Sequence, residues 1–263
     1  MKIGVQTYTI RDFLKTPAEI DASFKRIKEI GFDMVQLSGL GPIETGELDG
    51  ILKKYGIQAV GTHSPWESIA DNDRLSELID DHKKLGCSQI GIGMKPHIYP
   101  DTYEGYTCFI EKINDICERT AQAGLGFGYH NHELEFMRFN GTGGKNQVSK
   151  CALDRMIEEC PKCEFILDVF WVQAGGKNPS DYIDRLKNRI RILHLKDFRI
   201  TGRQRQFAEI GQGNLDWHAI FSRCEKYGIP FAVIEQDADF LSDPFDSLAL
   251  SRKFLVDEGY FKS

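Results

Sequence analysis

A short phrase recurs along the chain and restricts its fold more than any other feature: a polar or basic helix end, a glycine, one or a few residues, then a short apolar run. It reads Lys28-Glu29-Ile30-Gly31 before Met34-Val35-Gln36-Leu37, and Lys53-Lys54-Tyr55-Gly56 before Gln58-Ala59-Val60-Gly61. It returns as Lys83-Lys84-Leu85-Gly86 before Gln89-Ile90-Gly91-Ile92, and as Ala121-Gln122-Ala123-Gly124 before Gly126-Phe127-Gly128-Tyr129. A fifth instance is Glu225-Lys226-Tyr227-Gly228 before Phe231-Ala232-Val233-Ile234. Glycine after a helix supplies the left-handed cap that other residues adopt at a cost, and cations before it suit the helix carboxyl end. Each phrase is therefore a helix stop followed by a strand. The strands are short and apolar, as parallel strands covered on both faces are.

Three more strands, at residues 3–9, 165–169 and 190–195, bring the number to eight. The segments between them carry helical periodicity, for example Ile20, Phe24, Ile27 and Ile30, or Phe109, Ile113, Ile116 and Thr120. Eight alternating units predict an α/β fold, a single (β/α)8 TIM barrel, and 263 residues is the usual length for one. No linker or composition break divides the chain, so residues 1–263 are expected to form one domain. A doubly wound open sheet is the alternative. It calls for a phosphate-binding glycine-rich turn after the first strand, where this chain has Gln6-Thr7-Tyr8-Thr9-Ile10-Arg11.

Lysine and arginine number 33 against 39 aspartates and glutamates, a net charge of −6, with no basic run, which gives no support for nucleic acid or an anionic membrane as partner. No stretch approaches the ~20 apolar residues of a membrane span. The start, Met1-Lys2-Ile3-Gly4-Val5, moves straight into a strand without an apolar signal core, so a cytoplasmic protein is expected. Seven scattered cysteines suit reduced thiols. Cys160-Pro161-Lys162-Cys163 matches a C-x-x-C pair but lacks the second pair a zinc site needs, and reads as a helix-to-strand turn.

In a barrel of this kind chemistry sits where strands end and βα loops begin. Four of the seven histidines fall there, in Thr62-His63-Ser64, Tyr129-His130-Asn131-His132 and Leu193-His194-Leu195-Lys196-Asp197. The sixth strand ends in Leu167-Asp168-Val169-Phe170-Trp171 and the eighth in Ile234-Glu235-Gln236-Asp237. His82, His97 and His218 lie in a helix, a loop and a helix start, where a solvated or structural role is the default. Side chains alternate along a strand, so if Ile166 and Val233 fill the barrel interior, Asp168 and Glu235 point inward above them. Strands five to eight then present imidazole, carboxylate, imidazole and carboxylate: His130, Asp168, His194 and Glu235. Such mixed nitrogen and oxygen ligands favour a divalent Mn, Co, Zn or Fe ion over Mg. His132, which shares a face with His130, is the alternative ligand on strand five.

These phrases in this order, together with Ile210-Gly211-Gln212-Gly213-Asn214-Leu215-Asp216-Trp217, resemble the xylose isomerase-like TIM barrel superfamily of sugar phosphate isomerases and epimerases along the whole chain. The resemblance implies one divalent metal held by His130, Asp168, His194 and Glu235, a small-molecule sugar or keto-inositol substrate, and a homodimer. Ketose epimerases of the superfamily carry a glutamate where this chain has His130. The Tyr-His-Asn-His form is more similar to the inosose dehydratase branch and to lyases of oxidised glycosides.

Both branches begin with proton removal beside a carbonyl, giving an enediolate that a cation stabilises. Reprotonation gives a sugar (phosphate) isomerase or epimerase, the first expectation. Loss of a β-substituent gives an inosose dehydratase-like or keto-glycoside lyase, the alternative. Glu235 is the candidate base as well as a ligand, His132 or His63 the other acid/base, and Lys196 a stabiliser of negative charge, or else a salt-bridge partner of Asp197 or Glu209. Trp66, Phe170 and Trp171 form apolar walls for sugar C–H faces or close the top of the core. Glu209 ends a polar loop that either reaches substrate or stays mobile and solvated, and Arg203 or Arg205 in that loop receives a phosphate or stays solvated. A non-catalytic sugar-binding protein and an abasic-site endonuclease are more distant readings, the latter opposed by the negative charge and by strand five.

Overall fold

The computed structural model describes residues 1–139 and 150–261. Eight parallel strands form the barrel wall: β1 (Lys2–Gln6), β2 (Met34–Leu37), β3 (Gln58–Thr62), β4 (Gln89–Ile92), β5 (Gly126–His130), β6 (Glu164–Asp168), β7 (Ile190–Leu195) and, after a hairpin of β8 (Asp197–Thr201) and β9 (Gln204–Ala208), β10 (Phe231–Ile234). The hydrogen-bonded order is β3-β2-β1-β10-β7-β6-β5-β4. The seam between β3 and β4 is drawn together by Ser64 N–H donating to Gly91 O at 2.8 Å. A Cβ on Gly91 would stand 2.3 Å from Thr62 O and 2.7 Å from Ile166 Cδ1, so this residue keeps the seam closed because it has no side chain. The result is a single (β/α)8 TIM barrel.

The glycine phrases behave as their chemistry predicts. Gly31, Gly56, Gly86, Gly124 and Gly228 all have positive φ, between 61° and 104°, and each follows a helix. The helix Pro17–Ile30 begins with a capping box, Thr16 and Glu19 satisfying each other's backbone N–H groups, and buries Ile20, Phe24 and Ile27. The helix Tyr103–Gln122 likewise buries Phe109, Ile113, Ile116 and Thr120 against the sheet. Inside the barrel a separate small core of Met34, Val60, Ile166, Ile192 and Val233 fills the lumen. Ionisable side chains above this plug are lifted to the carboxyl ends of the strands.

Three expectations are revised. β1 ends at Gln6, because Gln6 accepts from Tyr8 N–H and starts the short helix Thr7–Phe13, which occupies the end of the expected first strand. β6 ends at Asp168, whose side chain caps the helix Val169–Ala174. The polar stretch expected as a loop before Glu209 is the antiparallel hairpin β8–β9, tied to the rest of the barrel by Phe207 N–H donating to Asp239 Oδ2 at 2.9 Å and Ile200 N–H to Asn214 Oδ1 at 3.2 Å. Cys160 and Cys163 are buried in the turn between the helix Ala152–Glu159 and β6, and burial pushes the Cys160 thiol up to about 12. No helix among the described residues is long and apolar enough to cross a membrane.

Candidate metal centre

His130, Asp168, His194 and Glu235 stand at the ends of β5, β6 and β7 and just past β10, all buried, with one ligand atom from each within 4.8 Å of the others. The closest approaches are Glu235 Oε2 to His194 Nδ1, 2.8 Å, and Asp168 Oδ2 to His130 Nε2, 3.4 Å. Asp168 is divided between two tasks. Its Oδ1 accepts from Trp171 N–H at 3.0 Å, which leaves Oδ2 for the cluster, and Asn131 Oδ1 accepts from the Asp168 backbone N–H at 3.0 Å.

The rings turn Nε2 of His130 and Nδ1 of His194 toward the carboxylates. His130 Nδ1–H donates to Gly93 O at 2.9 Å, and His194 Nε2–H donates to Gln36 Oε1 at 2.6 Å. Each imidazole is thereby left with a lone pair on the nitrogen that faces the carboxylates. Burial pulls the His130 pKa down to about 4 and also lowers that of His194, so both rings are neutral near pH 7. Two imidazole nitrogens and two carboxylate oxygens then crowd one small space. This donor set fits a divalent cation, and the outer hydrogen bonds to Gly93 and Gln36 are of the kind that orients histidine ligands.

Lys196 lies beside the cluster, with Nζ 2.8 Å from Asp237 Oδ2, 3.1 Å from Glu235 Oε2 and 3.6 Å from Asp168 Oδ2. Burial alone would lower its pKa, but Glu235, Asp168 and Asp237 outweigh burial and the ammonium is held charged. Burial also works to raise Glu235, and there the Lys196 ammonium prevails and keeps it well below the usual carboxylate range. Asp168 goes the other way, burial raising it against Lys196 and His194. Lys196 therefore pairs with Asp237 and Glu235, not with Asp197 or Glu209. Asp197 is occupied by Trp217 Nε1–H at 2.8 Å and by the Gly211 N–H at 3.1 Å.

The other candidates do not all gather at the cluster. His132 and His63 border the same cleft, of about 390 Å³, in which His130, Lys196 and Glu235 are reached. The His132 ring is 4.7 Å from that of His130 and 5.1 Å from Trp171, and burial lowers its pKa to about 3. The His63 ring is 5.0 Å from His130 and 5.5 Å from His194, and its buried Nε2 has no partner among the described residues. Trp171 and Phe170 form one wall with Phe207 of the hairpin, and Lys196 Nζ lies 5.3 Å from the Trp171 ring. Trp66 packs instead on Tyr99 and Phe109. Glu209 is buried and accepts from Ser247 Oγ at 2.7 Å, turned away from the cluster. Arg205 sits half-exposed near Glu133 at 3.7 Å.

Sequence reasoning passed over Gln36, Asp237 and Arg11. Gln36 carried a signal, a polar residue within the otherwise apolar Met34-Val35-Gln36-Leu37. Arg11 carried none, since it follows the first strand in a stretch notable only for lacking glycines.

The known proteins that this chain resembles agree with the barrel. An inosose dehydratase of Lacticaseibacillus casei is 23% identical over 180 residues, 61% of this chain and 56% of that protein, so the match spans little more than half of the curated relative's length. A sugar phosphate isomerase/epimerase from Parabacteroides distasonis superposes with a TM-score of 0.80 at 22% identity, covering 99% of this chain and 95% of the other. An L-ribulose 3-epimerase superposes with a TM-score of 0.71 at 15% identity, over 97% and 94% of the two chains. These relatives are named for different reactions, and the structural likenesses carry the fold alone. The family described as xylose isomerase-like TIM barrel matches residues 24–249, and the chain belongs to it.

Proposed function

We propose that this protein is a divalent-metal-dependent isomerase or epimerase of a ketose or ketose phosphate, working by proton removal beside a carbonyl. The observation that supports it is the convergence of Nε2 of His130, Nδ1 of His194 and the Asp168 and Glu235 carboxylates next to a charged lysine at a cleft. A divalent cation held by these four residues would polarise a substrate carbonyl or hydroxyl oxygen. Side chains supply the rest. Glu235, kept ionised, takes the proton from the neighbouring carbon. Lys196, 3.1 Å from that carboxylate, stabilises the oxygen on which negative charge develops. His132 and His63, neutral imidazoles at the cleft, carry hydroxyl protons from one oxygen to the next. Trp171 offers an apolar face to the sugar C–H groups.

Elimination is the second reading, and His130 favours it. A two-sided proton exchange needs a base on each face of the substrate, and β5 contributes an imidazole whose free nitrogen belongs to the metal set. Expulsion of a β-hydroxyl needs one base only, and an inosose dehydratase is among the relatives. The two readings separate in one experiment with Mn²⁺-loaded protein in deuterated water. Isomerisation places deuterium beside the carbonyl of a new sugar, followed by NMR. Elimination from a keto-inositol produces an enone absorbance, and an enone with no deuterated ketose from any substrate would sink the isomerase reading.

A further inference from the structure

Arg11 lies in the short helix Thr7–Phe13 after β1 and borders the same cleft as Lys196 and Glu235. Its guanidinium is held in place: Nη1 donates to Tyr8 O and Nη2 to Asp237 O, both at 3.0 Å, and the group stacks 4.4 Å from the Tyr8 ring centroid. Gly39 lies directly beneath, where a Cβ would come within 3.1 Å of the Tyr8 ring and 3.2 Å of Arg11 Cβ, so the pair rests on a surface that leaves it little room to move. Two of the five guanidinium N–H groups are used by main-chain carbonyls and three remain. Arg11 forms no salt bridge among the described residues.

Lys196 makes the contrast. It shares the cleft but is surrounded by Asp168, Glu235 and Asp237. Those three carboxylates, one ammonium and one divalent cation sum to zero with the imidazoles neutral. The charge on Arg11 is then surplus to the site, fixed in orientation, with donors free. A planar fork of this kind matches the oxygens of a phosphate or carboxylate.

We infer that the substrate carries an oxyanion, a phosphate or a carboxylate, beside the group that meets the metal cluster, and that Arg11 on its Tyr8 support recognises it. The inference rests on the metal-dependent sugar reading above and narrows its substrate class to sugar phosphates or sugar acids. The test uses full-length Mn²⁺-loaded protein and isothermal titration with D-fructose, D-fructose 6-phosphate and D-glucuronate. Wild type is expected to bind one of the two anions at least tenfold more tightly than D-fructose, and which one distinguishes phosphate from carboxylate. In Arg11→Gln the ratio of anion to neutral affinity should collapse towards one while Mn²⁺ affinity persists, which separates the effect from direct metal–phosphate contact. Arg11→Lys, which keeps the charge and loses the fork, should retain part of the ratio and serves if the glutamine variant does not fold. Equal binding of charged and neutral sugars by wild type, or an undiminished ratio in both variants, overturns the inference and leaves the metal-dependent reading intact. If no sugar binds, that reading fails and the inference with it.

Discussion

At the amino ends of the barrel strands the polar groups meet as Gln89 and Glu164, with one hydrogen bond of 2.7 Å between them. At the carboxyl ends five buried ionisable side chains, His130, Asp168, His194, Lys196 and Glu235, share one space, bordered by two further histidines and Asp237. The same strands support both ends, so the difference does not come from the fold. Burying unpaired charge costs several kcal/mol per group unless partners answer it, and well-packed apolar residues would give a more stable barrel. The carboxyl end accepts the cost because its groups have work to do with a cation and a substrate, and its outer hydrogen bonds keep those groups aimed.

The largest effect should come from removing a ligand. Asp168→Ala is expected to abolish the thermal stabilisation given by Mn²⁺, which for a site at a hundredfold excess over Kd amounts to about 2.7 kcal/mol. Glu164→Gln at the opposite end should leave that gain unchanged in the same thermal-shift series. A loss of equal size from both variants would mean that the two ends are not functionally distinct.

Gln36→Leu should act next in size. It removes the acceptor that holds His194 Nε2–H and frees the ring to present the wrong nitrogen. Loss of such an outer partner typically lowers metal affinity ~10–100-fold. Calorimetric titration with Mn²⁺ or Zn²⁺ measures it, and unchanged affinity would show that Gln36 does not select the tautomer.

The smallest effect concerns a histidine outside the barrel lumen, on the helix Asn72–Lys84. His82 is buried with both ring nitrogens engaged, Nδ1 2.7 Å from Leu78 O and Nε2 2.9 Å from Thr62 Oγ1. Burial lowers its pKa below the ordinary 6.5, so the unfolded chain takes up its proton first. Its contribution to stability is full above pH 6.5 and is lost as pH falls through the depressed folded value. Urea denaturation from pH 7.5 to 5 should show a shallower decline for His82→Gln than for wild type, by no more than about 1 kcal/mol at the acid end. Parallel profiles would show that His82 is not buried in the neutral form.

Much of the barrel was legible because its determinants are local. A helix stop needs a residue that tolerates positive φ, and Gly31, Gly56, Gly86, Gly124 and Gly228 declare it one by one. The hairpin β8–β9 was not legible. Arg199 to Gln206 is mostly polar, and the ribbon is held by Asp239 and Asn214 from later in the chain. The strand-end rule brought His130, Asp168, His194 and Glu235 forward as a group, since polar residues closing apolar runs are visible in one dimension. The same rule could not see that Glu209 turns to Ser247, or that Trp66 packs beside Tyr99, because both depend on neighbours brought close only by folding.

By itself the sequence determined the alternation of helix and strand, the strand ends and the kinds of side chain placed there, all consequences of backbone conformation and local periodicity. Only the tertiary structure decided how those side chains are aimed. His194 faces the cluster with Nδ1 because Gln36, 158 residues earlier, accepts from its other nitrogen, and His130 presents Nε2 because Gly93 O, 37 residues earlier, takes Nδ1–H. Lys196 is shared among Asp168, Glu235 and Asp237, while Arg11, 226 residues before Asp237, reaches its carbonyl and keeps its charge unspent. A hydrogen bond requires about 3 Å and a suitable angle, and closing the barrel is what brings such distant residues to that separation.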